Sequence, residues 1–282
     1  MRVRFWGTRG SIPTPGPEST RYGGNTPCVQ VTCADGTEVV LDAGSGIRTL
    51  GAALVGRRAP VHVLLTHLHL DHIQGLLFFA PFFETGAEVT VWGPPSRTHT
   101  LRARLARYLS NPLSPVEIRD LPARVRFEPV PAGPWRLGDC EVRAVLVAHR
   151  GPTLGYRITT ADGSVCYLPD HEPGLGADLA RAPAEWVSGL ALARGCDALI
   201  HDGQYLDAEY ADRVGWGHSG LTDALAFAER AEAGRTFLFH HDPGHDDEAL
   251  AALEADARAR WDGRGGELAL AREGGELVLG SR

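Results

Sequence analysis

Thr66-His67-Leu68-His69-Leu70-Asp71-His72 places three imidazoles and a carboxylate within six residues. The apolar run Val61-His62-Val63-Leu64-Leu65 leads into it and reads as a buried strand. Gly75 and the apolar stretch Leu76-Leu77-Phe78-Phe79 follow it and read as a short helix. The histidines therefore fall in a loop at a strand end, where backbone geometry turns several side chains toward one point. Neutral imidazole and carboxylate are the ligands that suit zinc and related divalent ions. A merely polar, histidine-rich loop is the weaker reading. Uncoordinated histidines packed this closely repel on protonation and serve no core.

More ligand-type residues follow, each just after a strand-like run. Residues 142–147 run into His149, residues 165–168 into Asp170, and residues 236–239 into His240. HxHxDH followed by a distant His, then Asp, then His resembles the metallo-β-lactamase superfamily of binuclear metallohydrolases, over nearly the whole chain. The resemblance implies an α/β (α+β) fold, a four-layer αββα sandwich with two mixed β-sheets, and a single hydrolase domain over residues 1–282. It implies that His67, His69 and His149 bind one metal ion, that Asp71, His72 and His240 bind a second, and that Asp170 bridges them. His240 has a neighbour, His241, and is preferred because it directly follows the strand. Asp71 also counts among the catalytic residues, because such a pair of ions shares a nucleophilic hydroxide. Two divalent ions are implied, zinc ahead of manganese.

Outside these motifs, 43% hydrophobic residues in 282 are enough for a sizeable core. No run approaches the roughly 20 apolar residues that span a bilayer, and Met1 to Trp6 reads as a strand, so the expected location is cytoplasmic. Net charge is −7 and no lysine occurs, so every side-chain cation other than histidine is arginine. Such a chain has no global basic field for clamping long nucleic acids. The five cysteines form no CxxC pair and read as reduced, mostly buried thiols.

Along the chain, the loop from Gly7 to Pro17 is either a surface connection or a pocket rim offering Arg9 to an anion. Residues 29–32 and 38–41 form a hairpin through Asp35-Gly36. The second of these strands ends in Asp42-Ala43-Gly44, which matches the superfamily's first motif. There the aspartate supports the histidine loop from behind, a role compatible with helix capping. Phe78, Phe79, Phe82 and Phe83 read as core ahead of a substrate wall or a subunit interface. Residues 96–110 read as a basic helix. Residues 111–123, with three prolines, leave open a lid or a contact with a second copy of the chain, a homodimer. Strands are expected at 124–127, 141–147, 154–158, 165–168 and 198–200, and helices at 183–194, 219–233 and 246–260. Residues 267–270 and 276–279 read as a terminal hairpin around Gly274-Gly275.

Gly217-His218-Ser219 precedes a helix, and His201-Asp202-Gly203-Gln204 lies upstream. The tRNA 3′-processing endonucleases of the ribonuclease Z type have a similar histidine, paired with an acid from a comparable upstream segment. The resemblance implies a dyad in which Asp202 orients His218, and His218 stabilises a phosphoryl oxygen or protonates the leaving oxygen. An exposed histidine in a helix-capping loop is the plainer alternative. Ser219 is followed by Gly220 rather than Thr, and the long basic arm of ribonuclease Z is not evident. The expected substrate is therefore a small anionic phosphodiester, a cyclic or short nucleotide, hydrolysed by a metal-bridging hydroxide. A lactone or thioester hydrolase with the same metals is the alternative. A cysteine-containing β-lactamase and an oxygen-reducing flavin partner are both disfavoured.

Overall fold

Alternation along the strands builds the layers. Val39 and Leu41 face one apolar core, while Val40 between them faces another. Val165 and Tyr167 join the first of these cores, and Cys166 and Leu168 join a third. Strands buried on both faces read as continuous apolar runs, and three cores stacked this way separate four layers. The computed structural model describes residues 1–280 apart from 58, 263 and 265.

Among the described residues, fourteen strands make two sheets of seven. In chain order they are β1 (Arg2–Gly7), β2 (Cys28–Thr32), β3 (Glu38–Leu41), β4 (Val61–Leu64), β5 (Glu88–Gly93), β6 (Arg124–Pro129), β7 (Trp135–Leu137), β8 (Cys140–Val147), β9 (Thr153–Thr160), β10 (Gly163–Leu168), β11 (Ala198–Asp202), β12 (Arg235–Phe239), β13 (Glu267–Leu270) and β14 (Glu276–Val278). The first sheet has the order β14-β1-β2-β3-β4-β5-β6 and the second β13-β12-β11-β10-β9-β8-β7. In both, the half from β3 to β6 or from β10 to β13 is parallel. The remaining pairings are antiparallel. Outside the first sheet pack α1 (Ile47–Leu54) and α3 (Leu101–Leu105). Outside the second pack α4 (Leu190–Ala193), α5 (Leu221–Ala231) and α6 (Asp247–Trp261). Open α/β sheets present their sites beyond the carboxyl ends of parallel strands, and here β4, β10, β11 and β12 all end at one place.

Several expectations change. The terminal pair is not a hairpin: β13 runs parallel to β12 in the second sheet, whereas β14 runs antiparallel to β1 in the first. Both sheets have an open edge there. Leu268 and Leu270 join an outer core while Leu277 joins the middle one, so the chain crosses between sheets at the glycines. The basic helix shrinks to α3, whose start is fixed by Thr100 Oγ1 accepting Ala103 N–H. Residues 183–194 are broken at Gly189, whose φ of 71° is left-handed. The strands β5 and β7 were not anticipated. Cys33 and Cys140 are joined as a disulfide, which corrects the reading of five free thiols. The bond links the far end of β2 to the start of β8, tying one sheet to the other at the end away from the histidine loop. The phenylalanine stretch divides, with Phe79 and Phe82 buried and Phe78 and Phe83 exposed.

Candidate metal centre

The loop after β4 turns immediately into a single helical turn, α2 (Leu70–Ile73). Its first residue, Leu70, points to solvent, while Asp71 and His72 turn inward. Behind it stands Asp42, fully buried at the end of β3. Asp42 Oδ1 accepts the Thr66 backbone N–H at 2.7 Å. Its Oδ2 lies 2.8 Å from His72 Nδ1 and accepts the Tyr167 hydroxyl from the opposite sheet at 3.0 Å. One carboxylate thus sets the loop, the His72 ring and the distance between the sheets.

The second sheet brings its residues one strand at a time. Asp170 faces both ways. Its Oδ2 lies 3.5 Å from His149 Nε2 and 3.7 Å from His67 Nε2. Its Oδ1 lies 3.0 Å from His72 Nε2 and 3.3 Å from His240 Nε2. His69 Nδ1 is 3.4 Å from His149 Nε2. Asp71 Oδ2 is 3.3 Å from His72 Nε2 and 3.2 Å from His240 Nε2, and also accepts the Ser11 backbone N–H. The ligand-type atoms of His67, His69, His149 and Asp170 lie within 4.8 Å of one another, as do those of Asp71, His72 and His240. All seven residues singled out in the sequence therefore converge.

Three of their atoms are buried without a hydrogen-bond partner: His67 Nε2, His72 Nε2 and Asp170 Oδ1. Native interiors rarely leave such groups unpaired, because each costs its full desolvation. Lone pairs that meet at short range without hydrogen-bond alignment fit a divalent cation, and the donor set is of the type zinc takes. Electrostatics agree. Burial holds His67, His69 and His149 below the usual imidazole range, so they stay neutral donors. Burial also pulls His72 down, but Asp170, Asp71 and Asp42 reverse this and hold it well above. The same field that retains a proton on His72 favours a metal ion in its place. Burial opposes ionisation of Asp170 and Asp71, yet the surrounding imidazoles outweigh it and keep both well below the usual carboxylate range.

Each imidazole from the second sheet is turned by a partner on its far side, as metal-ligating histidines generally are. His149 Nδ1 donates to the Gly217 carbonyl at 2.7 Å, and His240 Nδ1 donates to Gln204 Oε1 at 2.9 Å. His241 lies elsewhere. Its Nε2 meets the Ala271 carbonyl at 2.8 Å, and burial depresses it to about 3. His240 is the one of the two whose Nε2 faces Asp71 and Asp170. Gln204 was not singled out in the sequence, though it lies two residues after Asp202 in the segment that was.

His218 is next to the cluster, stacked at 4.9 Å on His240. Its Nδ1 is 2.6 Å from Asp202 Oδ2. Asp202 is fully buried and also accepts the backbone N–H groups of His171, Gln204 and Ser219. Burial would lower His218, but Asp202 raises it to about 8. His218 is therefore held rather than left in a mobile cap. Behind Asp202, His201 Nδ1 donates to the Asp202 carbonyl at 2.7 Å, leaving its Nε2 to accept from His171 Nδ1 at 3.0 Å. His171 is fully buried.

The open side is a cleft of about 430 Å³ lined by Ser11, Leu68, His69, Leu70, Asp71, Asp170, His218 and His240. Arg9 is not on its rim. It is fully buried, with Nε donating to Gly23 O and Nη1 to Asp242 O and His245 O, so it ties the N-terminal loop to the loop after β12. A Cβ on Gly10 would lie 2.5 Å from His240 Nδ1, which shows how closely that loop covers the centre.

Imidazoles and carboxylates gathered between two facing sheets, at the ends of parallel strands, define a metal-dependent hydrolase. The particular family follows from comparison. Residues 37–241 match the Beta-lactamase superfamily domain family, and the chain belongs to it. Over 274 residues it is 29% identical to the ribonuclease Z of Mycobacterium sp. (strain KMS), covering 88% of this chain and 86% of that protein. The fold is shared with the metallo-beta-lactamase fold protein YhfI of Bacillus subtilis, with a TM-score of 0.70 at 18% identity, over 98% of this chain and 99% of that one. It is shared also with the short form of human tRNase Z, with a TM-score of 0.66 at 22% identity, over 99% of each chain.

Proposed function

We propose that this chain is a phosphodiesterase acting on a small phosphodiester, such as a cyclic or short nucleotide, with two divalent ions at the centre, zinc ahead of manganese. The observation that carries the reading is the Asp170 carboxylate, whose two oxygens face two different sets of imidazoles beside the His218–Asp202 pair. His67, His69 and His149 would hold one ion, Asp71, His72 and His240 the other, with Asp170 between them. When bound, such ions neutralise phosphoryl charge and make water nucleophilic near neutral pH.

The chain's own groups supply the rest. Asp202 keeps a proton on His218 Nδ1 and fixes the ring's direction toward the cleft. The other ring nitrogen is then left to donate to the departing oxygen, a form of acid catalysis worth roughly 10²–10⁴-fold. Leu68 and Leu70 add apolar surface to the cleft wall. The relatives named ribonuclease Z cleave RNA by that name, which supports phosphodiester chemistry. The net charge of −7 supports a small substrate over a long polyanion.

The test is turnover of the metal-loaded protein on bis(p-nitrophenyl) phosphate, cyclic nucleotides, a precursor tRNA, and lactones. Hydrolysis of the small phosphodiesters, lost on chelation and restored by zinc or manganese, is expected. Preference for the precursor tRNA would overturn the small-substrate reading alone. Hydrolysis of lactones with none of any phosphodiester would overturn the phosphodiesterase reading.

A further inference from the structure

Glu172 stands two residues beyond Asp170 and is fully buried. A buried carboxylate is costly unless its oxygens are well bonded, so what it holds is informative. Oε1 accepts the Gly215 N–H at 2.7 Å and the Tyr210 hydroxyl at 3.0 Å, and Oε2 accepts the Gly217 N–H at 2.7 Å. The backbone N–H of Glu172 donates to the carbonyl of Ala148, the residue before His149, at 2.9 Å. Glu172 therefore touches three segments: the strand end carrying His149, the one carrying Asp170, and the loop that ends in His218.

That loop controls two side chains of the centre. The Gly217 carbonyl takes the Nδ1–H of His149, which aims Nε2 at Asp170. Gly217 has a φ of 94°, and a Cβ on it would lie 2.3 Å from His149 Nδ1, so the loop backbone rests directly on that imidazole. The next residue is His218. A shift of the loop would tilt His149 and move His218 away from Asp202 together.

We infer that Glu172 is a positioning residue: by clamping the Gly215–Gly217 backbone it sets His149 and His218 in register with each other. This rests on the reading of His149 as a metal ligand and His218 as an acid. Glu172→Gln keeps the shape but turns an acceptor into a donor facing a glycine N–H. Wild type, Glu172→Gln and His149→Ala would each be loaded with zinc. Zinc affinity would be read by chelator competition, and kcat and KM with bis(p-nitrophenyl) phosphate and with a dialkyl phosphodiester. Glu172→Gln is expected to weaken zinc binding about 10-fold, the lower end of the range for a partner directly behind a ligand, because it acts on His149 through Gly217. It should lower kcat with little change in KM, more for the dialkyl ester, whose leaving group needs a proton. Wild-type zinc affinity and kcat in Glu172→Gln, with zinc binding weakened in His149→Ala, would overturn this inference alone. Unchanged zinc binding in both variants would overturn the ligand reading beneath it. If Glu172→Gln does not fold, Tyr210→Phe removes one of the three donors and should weaken zinc about 3–10-fold, the worth of one hydrogen bond. No change there would overturn the inference equally.

Discussion

The two sheets feed the centre in opposite ways. The first sheet delivers His67, His69, Asp71 and His72 from one loop, and a single carboxylate, Asp42, braces that loop. The second sheet delivers His149, Asp170 and His240 from three strand ends, with Asp202 and Gln204 closing a fourth. Each imidazole there has its own brace: Gly217 for His149, Gln204 for His240, Asp202 for His218. The first half is encoded locally, and one carboxylate meets both the loop backbone at Thr66 and the His72 ring. The second is assembled at long range and depends on several independent braces. Asp170 belongs to the second sheet by sequence but lies within 3.7 Å of imidazoles from both.

The largest expected effect breaks the link between the halves. Asp170→Ala should abolish hydrolysis and weaken ion uptake in both halves. Activity within a few-fold of wild type, measured at saturating zinc, would show that the halves do not share this carboxylate. Next is His218→Ala, which should lower kcat and kcat/KM together by roughly 10²–10⁴-fold while zinc content holds. Asp202→Asn should cost somewhat less, and the double variant less than the product of the two losses, because the pair acts as one unit. The losses should shrink for p-nitrophenolate, a leaving group that needs no proton. Equal losses on all esters would exclude His218 as the leaving-group acid and leave it the role of stabilising a phosphoryl oxygen.

Smaller effects sharpen the contrast between a shared brace and separate ones. Asp42→Asn should weaken zinc uptake about 10–100-fold and disturb the whole histidine loop, since Thr66, His72 and Tyr167 all meet that carboxylate. Gln204→Ala touches only His240 and should affect a single ion, toward the lower end of that range. Competition with a chromophoric chelator distinguishes one weakened ion from two. The smallest catalytic effect belongs to the disulfide. It closes a separation of 107 residues far from the centre, so Cys33→Ser should leave kcat unchanged. Its loss should lower stability by about 2–4 kcal/mol, read as the shift in denaturation midpoint. A changed kcat would place the clasp in communication with the site.

The difference between the halves also explains what could be read from the sequence. HxHxDH is contiguous, and its ligand types announce themselves without tertiary information. His149, Asp170 and His240 were readable only because each follows an apolar run and the resemblance supplied their order. Glu172 and Gln204 carry no such mark. They act through backbone N–H groups and ring nitrogens brought near by the fold, and nothing in their flanking residues predicts that. Neither reading of the Gly7–Pro17 loop, surface connection or pocket rim, foresaw a buried Arg9, because a Gly- and Pro-rich loop suggests a surface. Its guanidinium instead takes three carbonyls from two other loops. The runs at 38–41 and 165–168 were legible as strands and the two-sheet sandwich came from the resemblance, whereas the glycines at 274–275 suggested a hairpin and in fact mark a crossing from one sheet to the other. The cysteine pairing joins residues far apart in the chain and had no local signal.

The central claim is that both halves form one two-ion centre, and metal stoichiometry tests it most directly. Apoprotein reconstituted with zinc, freed of unbound ion and analysed for metal and for protein by amino-acid content, should hold about two ions per chain. His67→Ala should fall to about one, and so should His240→Ala. Wild-type protein that holds no zinc after reconstitution, or a single ion unaffected by the loss of either histidine, would contradict the account.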